Sequence, residues 1–197
     1  MVSEIVKGNT HLFSEIVVRY KDRIYNMAYR FTNGHSDCQD LSQDIFLSVY
    51  KNLPAFRGQS SFSTWIYRLS VNRCLDWCRK RKRAQAYIHK HAVPCDDESS
   101  ILDRIPSDSR TPEEELVQKE EEQSLHRAIA LLPDKYKTVI IMYHFQNLSY
   151  KEIGEILSLP TRTVETQLYR AKQQLRKILT REEGGKASWN VKEFGII

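Results

Sequence analysis

The segment from Pro54 to Arg83 interleaves aromatic and basic residues in a pattern that suits unpaired nucleic-acid bases. Aromatic rings offer faces on which bases stack, at about 1–3 kcal/mol each, while basic side chains along the same surface hold phosphates. The aromatic residues are Phe56, Phe62, Trp65, Tyr67 and Trp77, and the basic residues are Arg57, Arg68, Arg73 and Arg79–Arg83. The loop residues Phe56, Arg57 and Phe62 are favoured as functional, because a loop has no need to bury aromatic rings. The two tryptophans are also compatible with a buried helix face, which is the preferred interpretation for Trp77.

A second pattern, in residues 148–179, predicts two short helices joined by a tight turn. Ser149 and Glu152 fit a capping box, and Pro160 fits the first turn of the second helix. That helix has an apolar stripe of Val164, Leu168, Ala171, Leu175 and Ile178, and an outer face of Arg162, Glu165, Thr166, Tyr169, Lys172, Gln173 and Arg176. This is the pattern of a helix-turn-helix, whose second helix enters the major groove of duplex DNA. The alternative is an ordinary pair of helices inside a bundle.

Other chemistry-bearing residues form less specific patterns. The possible zinc ligands are Cys74, Cys78, His89, His91 and Cys95. Their spacings match no standard zinc finger, and we expect Cys74 and Cys78 to face a helix interior. The chain has no P-loop, no H-E-x-x-H and no nucleophile-elbow sequence. We therefore predict no metal site, no cofactor and no enzymatic activity.

The elements that position these residues are predicted to be helices, since no segment alternates as a strand does. The predicted helices cover Phe13–Phe31, Cys38–Leu53, Trp65 to about Arg83, a stretch resuming near Glu114, Val139–Phe145 and the helix-turn-helix. Ser63 or Thr64 is the expected N-cap of the third helix. The expected fold is all-α, with two small helical domains.

Charge is distributed unevenly along the 197 residues, whose formal net charge is +5. Residues 94–123 hold eleven acids and three bases, a net charge of −8, whereas residues 65–91 carry +7 and residues 160–181 carry +5. With its prolines, the acidic segment predicts a flexible linker between two basic modules. The predicted boundaries are a domain over 1–83, a linker over 84–114, a domain over 115–181 and a tail over 182–197. The apolar end of the tail is either frayed or docked on a groove.

Composition excludes several classes of protein. Apolar residues make up 41% and charged residues 28% of the chain, which are ordinary globular values. No apolar run approaches the roughly 20 residues that span a bilayer, and the N-terminus lacks the pattern of a secretory signal. Four cysteines are too few for a disulfide scaffold. These features predict a soluble cytoplasmic protein without membrane insertion.

The motifs of both halves, in their order along the chain, resemble the extracytoplasmic-function sigma factors, the small branch of the sigma-70 family. In the first half these motifs are Asp40–Phe46, Phe56-Arg57-Gly58, Phe62–Arg68, Asn72 and Asp76. In the second half they are Leu132-Pro133 with Tyr136, Tyr150–Gly154 and Pro160–Arg170. The resemblance implies a sigma-2-like bundle and a sigma-4-like helix-turn-helix domain.

The resemblance also implies a function: binding core RNA polymerase and directing initiation at promoters with −35 and −10 elements. The implied contacts with the clamp helices of the polymerase β′ subunit are Asp40, Leu41, Gln43, Asp44 and Phe46. The implied −10 contacts, around a pocket for a flipped base, are Phe56, Arg57, Ser61, Phe62, Trp65, Arg68, Asn72, Arg73, Arg79 and Lys80. The implied −35 contacts are Thr161, Arg162, Thr163, Glu165, Thr166, Tyr169, Arg170 and Lys172. A contact with the polymerase β flap and restraint by an anti-sigma factor are implied as well.

Two positions in the second helix of the helix-turn-helix depart from the pattern of the family. The family usually has glycine before the Thr-Val pair and a basic residue after it, where this chain has Arg162 and Glu165. Glu165 either accepts a hydrogen bond from a cytosine amino group or pairs with Arg162 or Arg170. The −35 sequence preference of the family is therefore not transferred to this chain.

A helix-turn-helix transcriptional regulator is the alternative function. Such a protein would bind a palindromic operator as a dimer and without core polymerase. It would leave the aromatic and basic segment of the first half without a role.

Overall fold

The computed structural model describes residues 4–5, 9–33, 36–91 and 123–182 of the chain. The chain divides into two compact units, Met1–Leu102 and Asp103–Ile197. Nearly all the described residues are helical, and no strand occurs among them. The all-α prediction is therefore confirmed. The tail 183–197 and most of the predicted linker, residues 92–114, lie outside the described residues.

Between residues 9 and 91, the described part of the first unit has three long helices, whose apolar stripes meet in one core. Helix α1 spans His11–Thr32, α2 spans Asp37–Asn52 and α3 spans Phe62–His91, with a 3-10 turn at Leu53–Ala55 between α2 and α3. Fully buried side chains come from all three helices and include Ile16, Ile24, Met27 and Phe31, then Ile45 and Val49, then Ile66, Val71 and Cys74. Spacings of three and four residues place each set on one helix face, which is why the sequence periodicity located these helices well.

The start of α3 differs from the prediction, because Ser61 is the residue that caps it. The Ser61 hydroxyl accepts a hydrogen bond from the Thr64 amide at 3.0 Å and lies 2.8 Å from the Thr64 hydroxyl. Thr64 itself is buried in the first turn of the helix. The expectation of a cap at Ser63 or Thr64 was wrong, since four hydroxyl residues surround the start of the helix, Ser60, Ser61, Ser63 and Thr64, and left the position ambiguous from sequence.

The end of α3 also differs from the prediction, because the helix continues past Arg83 to His91. Residues 84–91, assigned to the linker from sequence, are therefore helical. Neither Gly nor Pro occurs between Arg79 and Pro94, and Ala, Arg, Lys and Gln are strong helix formers. The acidic and proline-rich composition that marks the linker begins only after this helix.

Over residues 123–182, the second unit has four helices packed around its own core. Helix α4 is described over residues 123–130, α5 spans Asp134–Ile140, α6 spans Tyr150–Leu157 and α7 spans Thr161–Glu182. A single π-helical turn, Ile141–Phe145, extends α5. The buried side chains of α7 are Val164, Leu168, Ala171, Leu175 and Leu179. The predicted stripe is confirmed except at its last position, where Leu179 is buried and Ile178 is only half-buried.

The boundaries of the helix-turn-helix follow from two caps. The predicted capping box is present, with the Ser149 amide donating to Glu152 Oε2 at 2.8 Å and the Glu152 amide donating to Ser149 Oγ at 3.3 Å. Pro160 precedes the first residue of α7 instead of lying inside its first turn. Its carbonyl accepts from the amides of Thr163 and Val164 at 2.8 and 3.2 Å.

The turn between α6 and α7 depends on a close approach of two backbone segments. A Cβ atom at Gly154 would lie 2.7 Å from the carbonyl oxygen of Leu159, too close for any side chain. The Leu159 amide donates to the Gly154 carbonyl at 2.9 Å, and Ser158 ends α6 in the left-handed conformation with φ of 56°. Glycine is therefore required at position 154 for α7 to leave the turn at this angle.

Candidate nucleic-acid interface

Three aromatic rings pack on one another beside the loop that leads into α3. The ring centroids are 5.4 Å apart for Phe56 and Phe62, 5.2 Å for Phe56 and Trp65, and 5.6 Å for Phe62 and Trp65. All three side chains are half-buried. This aromatic cluster (Phe56, Phe62 and Trp65) keeps part of each ring exposed and gives the loop a small core of its own.

The aromatic cluster is held on the first bundle through Tyr20 of α1. The Tyr20 hydroxyl is 2.8 Å from the Ser63 hydroxyl, and its ring lies edge-on to Phe62 at 6.1 Å. In the loop itself, Gly58 has φ of +70°, a conformation that glycine adopts without strain. Arg57 next to it is exposed. The loop is thus anchored at its C-terminal end and presents Arg57 to solvent.

The other predicted −10 residues lie along α3 in different environments. Asn72 and Lys80 are exposed, and Arg68 is half-buried. Trp65 and Asn72 are two turns apart and share one face of the helix. Arg73 faces α2 instead, where its Nε donates to the Ser48 hydroxyl at 3.1 Å. The structure therefore brings Asn72, and not Arg73, to the face that carries Trp65.

Trp77 and the two cysteines of α3 occupy different depths in the bundle. Cys74 and Cys78 are buried, as expected. Trp77 is only half-buried, with the Arg81 guanidinium 5.1 Å from its ring centroid, so the core position preferred from sequence is not the one it takes. Among the described residues no cluster of three or more His, Cys, Asp or Glu side chains is arranged to hold a metal ion. The histidine side chains of the possible zinc set and Cys95 lie outside the described residues.

The predicted polymerase contacts on α2 divide between a surface and a core. Asp40, Gln43 and Asp44 are exposed, and their spacing places them on one face. Leu41 is buried and Phe46 half-buried, which fits packing positions. Leu47 lies one turn beyond this acidic face and is 55% exposed. The sequence analysis missed Leu47, although the spacing of Asp40, Gln43, Asp44 and Leu47 is the pattern that would have located it.

The outer face of α7 carries most of the predicted −35 contacts. The exposed members are Thr161, Arg162, Glu165, Thr166, Tyr169 and Arg170. Tyr169 is 64% exposed, and its hydroxyl accepts from Gln173 Nε2 at 2.7 Å. Thr166 donates to the Arg162 carbonyl at 2.9 Å. Thr163 is half-buried and contributes less surface to this face.

Glu165 forms no ion pair with Arg162 or Arg170 within the described length of α7. All three side chains are exposed. The alternative in which Glu165 merely neutralises a neighbouring arginine therefore gains no support. Its carboxylate is exposed, and its negative charge contributes to the raised pKa of Tyr150.

Lys172 is placed differently from the rest of the predicted −35 set. It is half-buried, its Nζ lies 5.6 Å from the ring centroid of Tyr143, and burial lowers its pKa. The Tyr143 ring stacks at 5.2 Å from that of Tyr150, whose pKa is raised by burial and by Tyr143. Lys172 lies on the same side of α7 as Glu165 and Tyr169, as predicted, but at the edge of that outer face, where its side chain packs against the tyrosines.

His144 lies in the π-helical turn beside this group of tyrosines. Its Nε2 is buried without a hydrogen-bond partner among the described residues, and its ring lies edge-on to Tyr143 at 4.9 Å. Burial, assisted by the positive charge of Lys172, lowers the pKa of His144 to about 4. The imidazole is therefore neutral at physiological pH. Single π-helical turns inside α-helices occur frequently at functional sites.

None of the helices in the described ranges combines the length and apolar character needed to cross a membrane.

Sequence comparisons relate both units to known proteins. The family description "Sigma-70 region 2" matches residues 16–84, and "Sigma-70, region 4" matches residues 122–175. The chain is 35% identical over 178 residues to the ECF RNA polymerase sigma factor SigW of Bacillus subtilis, covering 90% of this chain and 94% of that protein. It is 29% identical over 179 residues to the RNA polymerase sigma-H factor of Pseudomonas aeruginosa, covering 91% and 92%.

Two solved structures share the fold. One is CnrH in complex with the cytosolic domain of CnrY, with a TM-score of 0.63, 19% identity and coverage of 91% of this chain and 95% of that chain. The other is the sigma factor RpoE in complex with the anti-sigma factor NepR from Bartonella quintana, with a TM-score of 0.65, 18% identity and coverage of 85% and 96%.

Proposed function

The chain belongs to the extracytoplasmic-function sigma factors of the sigma-70 family, and we propose that its two units divide promoter recognition between them. It is an RNA polymerase sigma factor, which directs promoter-specific transcription together with core polymerase. In this proposal the first unit binds polymerase and the −10 element, and the second unit binds the −35 element. The observation that carries the proposal is that the aromatic cluster of the first unit is partly exposed and that the outer face of α7 in the second unit is exposed.

The −10 role of the first unit is supported by the half-exposed aromatic cluster. A base that leaves the duplex loses stacking worth a few kcal/mol, which new stacking and hydrogen bonds must offset. Phe56, Phe62 and Trp65 supply ring surface, and Asn72 supplies an amide on the same helix face as Trp65. Arg57, exposed in the adjoining loop, would hold a phosphate of the melted strand.

The polymerase role is supported by the acidic face of α2. Asp40, Gln43 and Asp44 present negative charge and hydrogen-bonding groups together, which suits a basic partner surface. Leu47 adds apolar area at the end of this face. We assign Leu47 to the contact with the polymerase clamp helices, beside the three polar residues.

The −35 role is supported by the contrast between the two faces of α7. The inner stripe is buried, and the outer face exposes two arginines, a carboxylate, two threonine hydroxyls and a tyrosine in its first three turns. Such groups read base edges in the major groove, while the flanking basic residues contact phosphates. Lys172, which packs against Tyr143, is assigned to a supporting position and not to base reading.

Restraint by an anti-sigma factor is part of the proposal. The two related structures are complexes, one with the cytosolic domain of CnrY and one with the anti-sigma factor NepR. We infer that this chain has a similar protein partner, that it acts in the cytoplasm where RNA polymerase works, and that its role is recognition without catalysis.

Reconstitution with core RNA polymerase tests the proposed function. The holoenzyme is expected to initiate at a promoter with both elements, and base changes in either element should reduce initiation. The chain alone is expected to bind the same duplex weakly. Tight operator binding by the chain without polymerase, in the absence of initiation by the holoenzyme, would refute the proposal in favour of a helix-turn-helix regulator.

Two variants test which unit of the chain binds the −35 element and which unit binds core polymerase. Arg162→Ala is expected to weaken binding to the −35 element severalfold at low salt, because it removes a charge from the outer face of α7. The combined change Asp40→Asn and Asp44→Asn is expected to weaken the binding of core polymerase instead. Asp22→Asn, on the exposed side of α1, serves as the control for both.

A further inference from the structure

Tyr20 of α1 contacts the first turns of α3, although the two segments are far apart in sequence. Its side chain is 7% exposed and belongs to the buried stripe of α1. The hydroxyl is 2.8 Å from the Ser63 hydroxyl, and the ring lies edge-on to Phe62 at 6.1 Å. The ring also lies edge-on to Tyr67, at 6.5 Å. One side chain of α1 therefore contacts three residues at the start of α3.

The hydroxyl of Tyr20 is not needed for packing. A phenylalanine ring would fill the same position, whereas a buried hydroxyl is unfavourable without a hydrogen-bond partner. The partner here is Ser63, whose own side chain is exposed and open to water. Ser63 is not the cap of α3, since Ser61 has that role. The hydrogen bond between Tyr20 and Ser63 therefore joins α3 to α1 without being required to begin the helix.

Arg23 makes a second connection beside the first. Its Nη1 donates to the Tyr67 hydroxyl at 3.4 Å. The two hydrogen bonds are separated by three residues on α1 and by four on α3, so they lie about one turn apart on both helices. Two points of attachment fix both the position and the rotation of the first turns of α3.

The orientation of the aromatic cluster depends on this attachment. Phe62 directly precedes Ser63, and Trp65 follows it by two residues, so a rotation of the first turn of α3 would move both rings together. The rings are only half-buried, and their exposed parts are the surface offered to a base. Stacking requires the ring faces to be held within narrow limits, and side chains that are ordered before binding lose less affinity to ordering.

We propose that Tyr20 is a positioning residue for melting of the −10 element. Its hydroxyl, through Ser63, and its ring, through Phe62, hold the aromatic cluster in the orientation that receives an unstacked base. The inference rests on the proposed −10 role of the first unit. Tyr20 is buried and acts through its neighbours, without touching DNA. Because the cluster is oriented before DNA binds, more of the stacking energy is available to offset the unpairing of the base.

The test uses holoenzymes and the single-stranded non-template strand of the −10 element, from a promoter that the wild-type holoenzyme uses. Each base of the element is removed in turn to give a series of abasic strands. The removal that weakens wild-type binding most marks the captured base. The test variants are Tyr20→Phe, which keeps the ring, Ser63→Ala, and the two combined. Tyr25→Phe is the matched control, because Tyr25 is also on α1 but its hydroxyl accepts from Cys38 Sγ of α2 at 3.4 Å.

On the intact strand, Tyr20→Phe and Ser63→Ala are each expected to bind about three- to tenfold more weakly, the range that corresponds to the loss of one hydrogen bond. The combined variant should bind no more weakly than either single variant, since both remove the same bond. On the strand that lacks the captured base, all three should equal the wild type. Tyr25→Phe should equal the wild type on both strands, and the affinity for core polymerase should be the same for every variant.

Wild-type affinity of Ser63→Ala for the intact strand would overturn the inference, and so would additive losses in the combined variant. Equal losses on the intact and abasic strands would also overturn it, because the hydroxyls would then support the fold and not the orientation of the cluster. If Tyr20→Phe weakens the binding of core polymerase, Ser63→Ala, at an exposed position, decides the outcome.

In each of these cases initiation by the wild-type holoenzyme would leave the proposed sigma function standing. A wild-type holoenzyme that loses no affinity on any abasic strand would instead refute the proposed −10 role, and the inference with it.

Discussion

Glu165 places a negatively charged hydrogen-bond acceptor on the outer face of α7. Because DNA phosphates repel negative charge, a basic side chain would be expected at this position. A carboxylate next to the DNA backbone is unfavourable unless a base amino group donates to it, and the cytosine N4 group is the donor that geometry favours. Since no ion pair with Arg162 or Arg170 occupies it, Glu165 is available for such a contact. This makes it the residue at which the −35 preference of this chain is expected to differ from that of its relatives.

Glu165→Gln is expected to reduce discrimination at one −35 position by about tenfold, within the 1–3 kcal/mol that a specific base contact contributes. An amide donates as well as accepts, so the preference for cytosine should fall while other positions keep theirs. Transcription from a set of promoters with each −35 base substituted measures this. Glu15→Gln, exposed on α1, is the matched control, and an unchanged base ranking would exclude Glu165 from base reading.

Gly154 is a residue whose replacement acts through sterics alone. Gly154→Ala places a Cβ 2.7 Å from the Leu159 carbonyl oxygen, so the turn must open, at a cost of about 1–3 kcal/mol in the free energy of unfolding. Chemical denaturation of the full chain measures the loss. Gly58 provides the contrast: it has open space and φ of +70°, so Gly58→Asn should be tolerated because asparagine adopts that conformation. Equal stability of Gly154→Ala and wild type would contradict the close approach.

At the scale of the elements, the buried histidine of the π-helical turn makes the stability of the second unit depend on pH. The pKa of His144 is lowered to about 4 in the folded chain, against an ordinary value of 6.5. Between these values the unfolded chain binds more protons, so stability rises with pH across that window and falls as the pH drops from 6.5 toward 4.

We therefore expect the melting temperature of the chain to fall as the pH is lowered from 6.5 to 4, and this slope to be smaller in His144→Phe. The phenyl ring keeps the packing against Tyr143 and removes the titrating group. Thermal melts of wild type and variant at matched ionic strength test this. His11→Phe, at the exposed start of α1, is the control, and identical pH slopes in His144→Phe and wild type would contradict the buried neutral imidazole.

Sequence periodicity predicted the helices and most of their buried faces, because a stripe of apolar residues at three- and four-residue steps has one stable placement. It did not predict which of the hydroxyl residues around Phe62 caps α3, because serine and threonine are all suitable N-cap residues. Nor did it predict that Lys172 packs against the ring of Tyr143, because that contact joins residues distant in sequence. The site residues on exposed faces were accessible to prediction, and those at the edges of faces were not.

At the scale of the whole molecule, charge is sorted between segments in a way that predicts an effect of the linker. The acids of residues 94–123 follow the basic residues 79–83 of α3 along the chain, and Asp96, Asp97 and Glu98 are the first of them. Replacing these three by Asn, Asn and Gln removes negative charge. That charge competes with DNA phosphates for the same basic side chains. The affinity of the free chain for duplex DNA is expected to rise severalfold at low salt.

Fluorescence anisotropy with a short duplex measures that change, and the difference should vanish at high salt because screening removes it. The matched control replaces Glu120, Glu121 and Glu122 by Gln, which removes the same charge farther along the chain. An unchanged affinity after the first replacement would show that the linker acids do not compete with DNA.

The length of α3 has a consequence for how its two ends can evolve. A single uninterrupted helix connects the residues around the aromatic cluster with Arg83, so their relative orientation is a matter of helical phase. One residue inserted between Asn72 and Arg83 would rotate everything after it by about 100° and carry Arg83 off the face that it shares with Asn72, whereas four inserted residues would nearly restore the phase one turn farther out. Changes of length in this helix are therefore tolerated only in steps of about one turn.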